Sequence, residues 1–183
     1  EIIRAILAER ERGTFGGFVN IFIRLHPKED NLDDYREFEQ LPQIRIERGG
    51  RRMPTVSGQR VELDEADLAN LKGTLSHADV VVNYASTITL EACIFDKPVV
   101  NIGFPPYYMN AYSFTHYRPV VELGAVRIAE SQAALIREIS FYLNDPSRDR
   151  AERMRAVGEF IGFTDGRSYQ RSVELISKIT RQA

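Results

Sequence analysis

The sequence predicts an α/β fold, a Rossmann-like three-layer domain with a parallel sheet, on three observations. Residues 78–82 (ADVVV) form a short run that ends in three valines, and residues 99–102 (VVNI) form a second, largely apolar run. Both predict strands of the kind that is buried on both faces of a parallel sheet. Strand-like runs alternate with amphipathic, helix-like stretches along the chain. Polar clusters follow several of these strands, where parallel sheets bind their ligands.

The first part of the chain alternates helix and strand. Helical spacing of apolar residues predicts a helix over 1–12, and β-branched and aromatic residues predict a strand over 18–25 that His26-Pro27 ends. An acidic helix or loop (28–40) and a short strand (43–47) follow. Glycines, a proline and clustered arginines indicate a mobile loop over 48–62. A helix is predicted over 63–77, with Asp64 as its cap.

The second part continues the alternation. Strands are predicted at 78–82 and 99–102, on either side of a helix at 86–95. Residues 103–119 are rich in aromatic side chains and lack periodicity, and a short strand is expected within 120–128. Three helices complete the pattern at 131–143, capped by Ser131, at 147–160 and, after a glycine-containing break, at 168–182.

Composition bounds the function. The 183 residues suit one domain, 1–183, of average globular composition, and a net charge of −2 argues against nucleic acid as a partner. The single cysteine, Cys93, lies in an apolar run, so we expect a core residue and a reducing, cytoplasmic compartment. The chain begins without Met inside a helical pattern, and we interpret it as a fragment of a longer protein.

The richest polar cluster follows the strand at 78–82. Asn83 follows this strand directly, and Ser86 and Thr87 open the next helix, where free N–H groups and hydroxyls suit phosphate oxygens. Taken alone, this pair favours the simpler interpretation that Ser86 is a helix cap. Glu91 lies one turn further on, where its carboxylate suits the two hydroxyls of a ribose or, alternatively, a local ion pair.

Histidine offers a second candidate. His26 closes the first strand, where an imidazole can donate to an oxyanion or make a structural hydrogen bond. The three histidines, His26, His77 and His116, lack metal-ligand spacing, so neither a metal nor another cofactor is expected. No phosphate-binding glycine loop and no nucleophile elbow occurs.

The aromatic segment at 103–119 has two interpretations. Its rings can contact a base, a sugar or an acceptor, or the segment can be a surface loop that packs on a domain outside these residues. The residues concerned are Tyr107, Tyr108, Tyr112, Phe114, His116 and Tyr117.

Three motifs together resemble a known family. Residues 77–104 (HADVVVNYASTITLEACIFDKPVVNIGF) resemble the donor-site segment of C-terminal domains of GT-B glycosyltransferases. Residues 24–29 (RLHPKE) resemble the His-Pro motif of bacterial sialyltransferases, capsule transferases and CDP-glycerol glycerophosphotransferases. Residues 164–176 (TDGRSYQRSVELI) are similar to the ending of that last group.

The resemblance implies roles for individual residues. It places His26, beside Pro27, on a donor phosphate, Ser86 and Thr87 on the diphosphate, and Glu91 on the ribose. It also places the remaining matched residues near the same crevice: His116 of a His-Tyr pair, and Asp165, Gly166 and Arg167. Asn83 stands where retaining GT-B enzymes carry a glutamate, which favours an inverting or phosphate-transferring relative.

The implied protein is a transferase. Its donor is nucleotide-activated (CDP-, UDP- or CMP-linked), and its acceptor is a glycan, lipid or polymer, with association with the inner face of the membrane left open. The general base is expected in an N-terminal acceptor domain outside these residues, so the isolated domain is expected to be inactive. A nucleotide-sugar 2-epimerase domain and a non-catalytic α/β binding module stay as alternatives.

Overall fold

A computed structural model describes residues 1–55, 58–105 and 109–182. The chain divides into two compact units, Glu1–His77 and Ala78–Ala183, each described by itself below. That residues 1–183 form a single nucleotide-binding domain stays a prediction.

The first unit contains a pair of parallel strands. α1 (Ile2–Glu11) precedes β1 (Ile21–Leu25), which pairs in parallel with β2 (Ile44–Arg48). A 3-10 turn (Leu32–Tyr35) and the short α2 (Arg36–Glu39) connect the two strands. The buried apolar residues of this unit are Leu7, Phe15, Leu25, Phe38 and Leu75.

A β-hairpin replaces the mobile loop predicted for residues 48–62. β3 (Arg51–Thr55) pairs antiparallel with β4 (Gly58–Glu62). Glycine and proline at 49–58 suggested a loop, but a two-stranded ribbon leaves each strand an outer edge on which a proline is tolerated. Gly50 enters the hairpin with φ +88° and donates its N–H to Asp67 Oδ1 at 2.9 Å.

α3 (Glu65–His77) ends the first unit, and its start confirms the predicted cap. Asp64 Oδ1 accepts from the N–H of Asp67 at 2.8 Å, and Asp67 Oδ2 accepts from the N–H of Asp64 at 3.1 Å. This reciprocal arrangement satisfies two N–H groups that a helix start leaves without intrahelical partners.

The second unit contains a three-stranded parallel sheet in the order β5-β6-β7, formed by Val81–Asn83, Val99–Ile102 and Arg127–Ala129. The central strand is buried along its whole length. α4 (Ile88–Ile94) and α6 (Gln132–Asn144) both contact β6. The predicted fold class is confirmed: the chain is α/β with parallel strands, consistent with a Rossmann-like three-layer arrangement.

Two predicted elements of the second unit are different in the structure. The residues after the aromatic segment form α5 (Arg118–Glu122), and the strand expected within 120–128 begins only at Arg127. Pro119 explains the helix, because its fixed φ suits a first turn. The helix predicted over 147–160 divides into α7 (Arg150–Ala156) and a π-helical turn (Val157–Ile161).

The last helices follow the prediction. Ser131 caps α6, since its side chain accepts from the N–H of Ala134 at 3.1 Å. α8 (Ser168–Gln182) carries exposed apolar side chains on one face, among them Val173 and Ile176. Within the described ranges, no helix combines the length and the apolar character that crossing a membrane requires.

Candidate functional site

Two asparagines lie side by side at the carboxyl edge of the sheet in the second unit. Asn83 is the last residue of β5, and its register partner on β6 is Asn101. Register partners on parallel strands project from the same face of the sheet. Asn101 is fully buried, whereas Asn83 is half-buried, so a polar pair reaches from the core toward this edge.

A chain of hydrogen bonds links the two asparagines. Asn101 Nδ2 donates to the Tyr117 hydroxyl at 2.8 Å, and this hydroxyl lies 2.7 Å from Thr89 Oγ1. Thr89 Oγ1 is in turn 3.2 Å from Asn83 Nδ2 and 3.4 Å from Asn83 Oδ1. Burial raises the pKa of Tyr117, so this hydroxyl keeps its proton at neutral pH.

The turn between β5 and α4 has an unusual backbone. Ala85 adopts φ +39°, a value that residues with a Cβ rarely take and that is frequently found at functional sites. Ser86 Oγ accepts from the N–H of Ile88 at 3.3 Å, so Ser86 bonds the start of α4 as a capping residue does. The N-cap position itself is occupied by Thr87 rather than by Ser86. The Thr87 side chain is exposed, and it makes no capping bond to a described residue.

Glu91 lies one turn into α4, and its N–H bonds the carbonyl of Thr87 at 3.4 Å. Its side chain is half-buried. α4 has seven residues and begins two positions later than the predicted helix at 86–95. Asn83 thus ends β5, Ser86 and Thr87 lie in the turn that follows, and Glu91 lies in α4. Nucleotide binding by these residues stays a prediction.

The aromatic segment is part of the core at two of its tyrosines. Tyr112 and Tyr117 are buried, with ring centroids 5.5 Å apart, and the Tyr112 hydroxyl donates to the carbonyl of Ile102 at 2.6 Å. These two rings therefore pack within the protein, and stacking on a base or sugar is excluded for them. Phe114 and His116 are exposed, with centroids 5.9 Å apart.

Tyr107 and Tyr108, the other two tyrosines proposed for ligand contact, lie outside the residues that the structure describes.

His26 and Pro27 belong to the first unit and follow β1 directly. His26 is exposed, and its Nδ1 accepts from the N–H of Lys28 at 3.1 Å. An accepting Nδ1 assigns the proton of the neutral ring to Nε2, which can donate to an oxyanion. The predicted phosphate contact is therefore chemically available to this side chain and stays a prediction.

The Asp-Gly-Arg motif shapes the start of α8. Asp165 accepts from the N–H of Arg167 at 3.1 Å and from two nitrogens of Arg171 at 2.9 and 2.6 Å. The Arg171 side chain lowers the pKa of Asp165 to about 2. Gly166 has φ +71°, and the Arg167 side chain is exposed. Asp165 and Gly166 thus have a local structural role, and nucleotide binding by all three residues stays a prediction.

The sequence did not indicate that Thr89, Asn101 and Tyr117 form one hydrogen-bonded group. Asn101 carried a signal, because it interrupts the otherwise apolar run at 99–102. A buried amide costs free energy unless it is hydrogen-bonded, so an asparagine in such a run points to a polar partner in the core.

Within the part of the chain that the structure describes, no group of three or more His, Cys, Asp or Glu side chains is placed to hold a metal ion.

Comparison of the chain with known proteins finds no matching protein-family model, no matching curated protein and no matching solved structure.

Proposed function

We propose that this chain is the donor-binding domain of a glycosyltransferase or glycerophosphotransferase that uses a nucleotide-activated donor. The observation that carries the proposal is the polar pair Asn83 and Asn101 at the carboxyl edge of the sheet. Parallel α/β sheets bind their ligands at this edge. The resemblance of residues 77–104 to a nucleotide-donor segment supports the same location.

The neighbouring groups suit the parts of a nucleotide. Thr87 is exposed at the end of the turn that follows Asn83, and its hydroxyl is available to phosphate oxygens. Glu91 follows one helical turn later, at a spacing at which its carboxylate can accept from ribose hydroxyls. The unusual φ of Ala85 supports a functional role for the turn that joins these groups.

The transferase chemistry is expected to be shared with another domain. Positioning the donor and stabilising the charge on its leaving phosphate are the contributions that such a site makes to catalysis. An inverting displacement also needs a general base near the acceptor, which we assign to a domain outside these residues. We place the protein in the cytoplasm, in keeping with its free, buried Cys93.

Calorimetric titration of the chain with CDP, UDP and CMP tests the proposal. We expect saturable binding of at least one nucleotide, weakened when Glu91 is replaced by Gln. Glu159→Gln is the matched control, because Glu159 is an exposed carboxylate whose partner is Arg155 on its own helical segment. The proposal is overturned if none of the three nucleotides binds.

A deoxyribose analogue tests the role of Glu91 directly. If the carboxylate binds the ribose 2′-hydroxyl, the native chain prefers CDP to dCDP, and Glu91→Gln removes this preference. A preference that survives the substitution would assign ribose recognition to another residue. Epimerisation of a free UDP-sugar without any acceptor would instead favour an epimerase.

A further inference from the structure

The hydrogen-bond chain behind Asn83 has a direction. Asn101 Nδ2 can only donate hydrogen bonds, so the Tyr117 oxygen accepts from it. The Tyr117 hydroxyl proton is then available to Thr89 Oγ1, which lies 2.7 Å away. The Thr89 oxygen thereby accepts, and its own proton remains for Asn83 Oδ1 at 3.4 Å. The protons of Asn101, Tyr117 and Thr89 are thus donated outward, while Asn83 Nδ2 donates one proton inward to the Thr89 oxygen at 3.2 Å.

The opposite direction is disfavoured by the burial of Asn101. In the observed orientation, Asn101 Oδ1 is buried without a hydrogen-bond partner among the described residues. Reversing the chain would turn the amide over and put Nδ2, with its two protons, in that position. Buried N–H groups without partners are rarer in proteins than under-satisfied carbonyl oxygens, so the observed orientation is the more stable one.

The direction determines what Asn83 offers to a ligand. Its amide carries two N–H groups, and Thr89, its side-chain partner among the described residues, accepts at most one of them at 3.2 Å. The carbonyl oxygen of the same amide accepts from Thr89. Asn83 therefore has an N–H to donate and a carbonyl oxygen held inward, which favours an acceptor such as a phosphate oxygen.

We propose that Asn101, Tyr117 and Thr89 hold the Asn83 amide as an oriented hydrogen-bond donor that selects a phosphate oxygen at the carboxyl edge of β5. Asn83 is the residue that contacts the anion, and Thr89 and Tyr117 are positioning residues that act through it. This inference rests on the proposed function and extends it by assigning the phosphate contact and its specificity.

Replacing the Asn83 amide by a group that cannot donate hydrogen bonds tests the phosphate contact directly. Asn83→Asp keeps the shape but replaces the donor by a carboxylate, and we expect it to weaken pyrophosphate and CDP binding about tenfold to a hundredfold. Cytidine, which has no phosphate, is expected to bind the native and Asn83→Asp chains alike. Equal losses for cytidine and CDP would contradict a phosphate contact.

Substitutions of Thr89 distinguish loss of its positioning hydroxyl from a general loss of folded structure. Thr89→Val keeps the volume but removes the hydroxyl, and we expect CDP affinity to fall about three- to tenfold, whereas Thr89→Ser keeps the hydroxyl and restores affinity. Tyr117→Phe is expected to follow Thr89→Val. Tyr142→Phe is the matched control, because Tyr142 is a buried tyrosine whose hydroxyl bonds Asp149 and Arg127 instead.

A double-mutant cycle distinguishes the two proposals. With Asn83→Ala in place, Thr89→Val should cost no further affinity for CDP or pyrophosphate, because its effect passes through Asn83. Additive losses, or unchanged binding in Thr89→Val, overturn the inference and leave the proposed function standing. Pyrophosphate binding that depends on Thr89, without nucleotide binding, supports the inference and overturns the proposed function. A native chain that binds neither probe overturns both.

Discussion

Arg153 and Asp96 form an ion pair in which one partner is completely buried. Arg153 Nε and Nη2 both donate to Asp96 Oδ1, at 3.1 and 2.9 Å. The same guanidinium donates to the carbonyls of Arg148 and Pro146 at 2.6 and 2.9 Å. Asp96 has φ +55° in the turn before β6, so the pair joins this turn to α7 and saturates most donors of a buried cation.

Replacing Arg153 by Met should destabilise the protein severely. The substitution leaves two carbonyls and a carboxylate with lost partners, and we expect the free energy of unfolding to fall by about 2–4 kcal/mol. Urea unfolding followed by circular dichroism measures the change. Arg155→Met on the same helix is the control, since its exposed contact with Glu159 at 3.6 Å is worth less than about 0.5 kcal/mol. Equal effects of the two substitutions would show that burial of Arg153 is unimportant.

Two glycines of the first unit should respond to alanine with opposite signs. At Gly50, φ is +88° and an added Cβ would lie 2.5 Å from Val61 Cγ1, so Gly50→Ala should destabilise by more than about 1 kcal/mol. At Gly73, inside α3, an added Cβ meets no described atom within 4 Å, so Gly73→Ala should stabilise by about 0.5–1 kcal/mol. Thermal unfolding of the two variants measures both changes. Stabilisation by Gly50→Ala would refute the positive φ assigned to Gly50, and destabilisation by Gly73→Ala would refute the open surroundings of Gly73.

The thiol of Cys93 should be unreactive in the folded protein. Burial raises its pKa to about 11, so the nucleophilic thiolate is scarce at pH 8. We expect reaction with a disulfide reagent only after addition of denaturant. Because the folded pKa lies above the ordinary value of 9.0, the thiol's contribution to stability is complete below pH 9 and is lost as the pH rises toward 11. Rapid labelling of native protein would place Cys93 at the surface.

The carboxyl of Asp165 should titrate near pH 2, and its pKa should depend on Arg171. Replacing Arg171 by Ala is expected to raise the pKa of Asp165 toward its ordinary value of 3.8. Arg167→Ala is the control, because Arg167 contributes its backbone N–H rather than its side chain. The depressed pKa means that the stabilising contribution of this ion pair is present above pH 4 and disappears as the pH falls toward 2. NMR titration of the carboxyl carbon measures each value.

Local sequence patterns predicted some elements residue by residue. The bounds 99–102 and 168–182 coincide with β6 and α8. β6 is a run between Pro98 and Gly103 that is apolar except for Asn101. α8 has regular helical spacing after Gly166, so in each case a strong pattern has clear ends. The hairpin at 51–62 was missed, since its glycines and proline are also the residues of loops.

The site was predictable where its residues are neighbours in sequence. Asn83 was identified as the residue that directly follows a predicted strand at 78–82, and the structure places it as the last residue of β5. Its connection to the core was not identified, because Tyr117 lies 16 residues from Asn101 and 28 from Thr89 along the chain. Periodicity describes short windows and carries no information about such contacts, which depend on how strands and helices pack.

The exposed face of α8 implies a gradient of local stability along the chain. None of the side chains that the structure describes between residues 168 and 181 is buried, and a helix of fifteen residues without tertiary burial is only marginally stable. Its amide protons should therefore exchange with solvent through frequent local opening. Those of β6, which is buried along its whole length, should exchange only when the surrounding sheet unfolds.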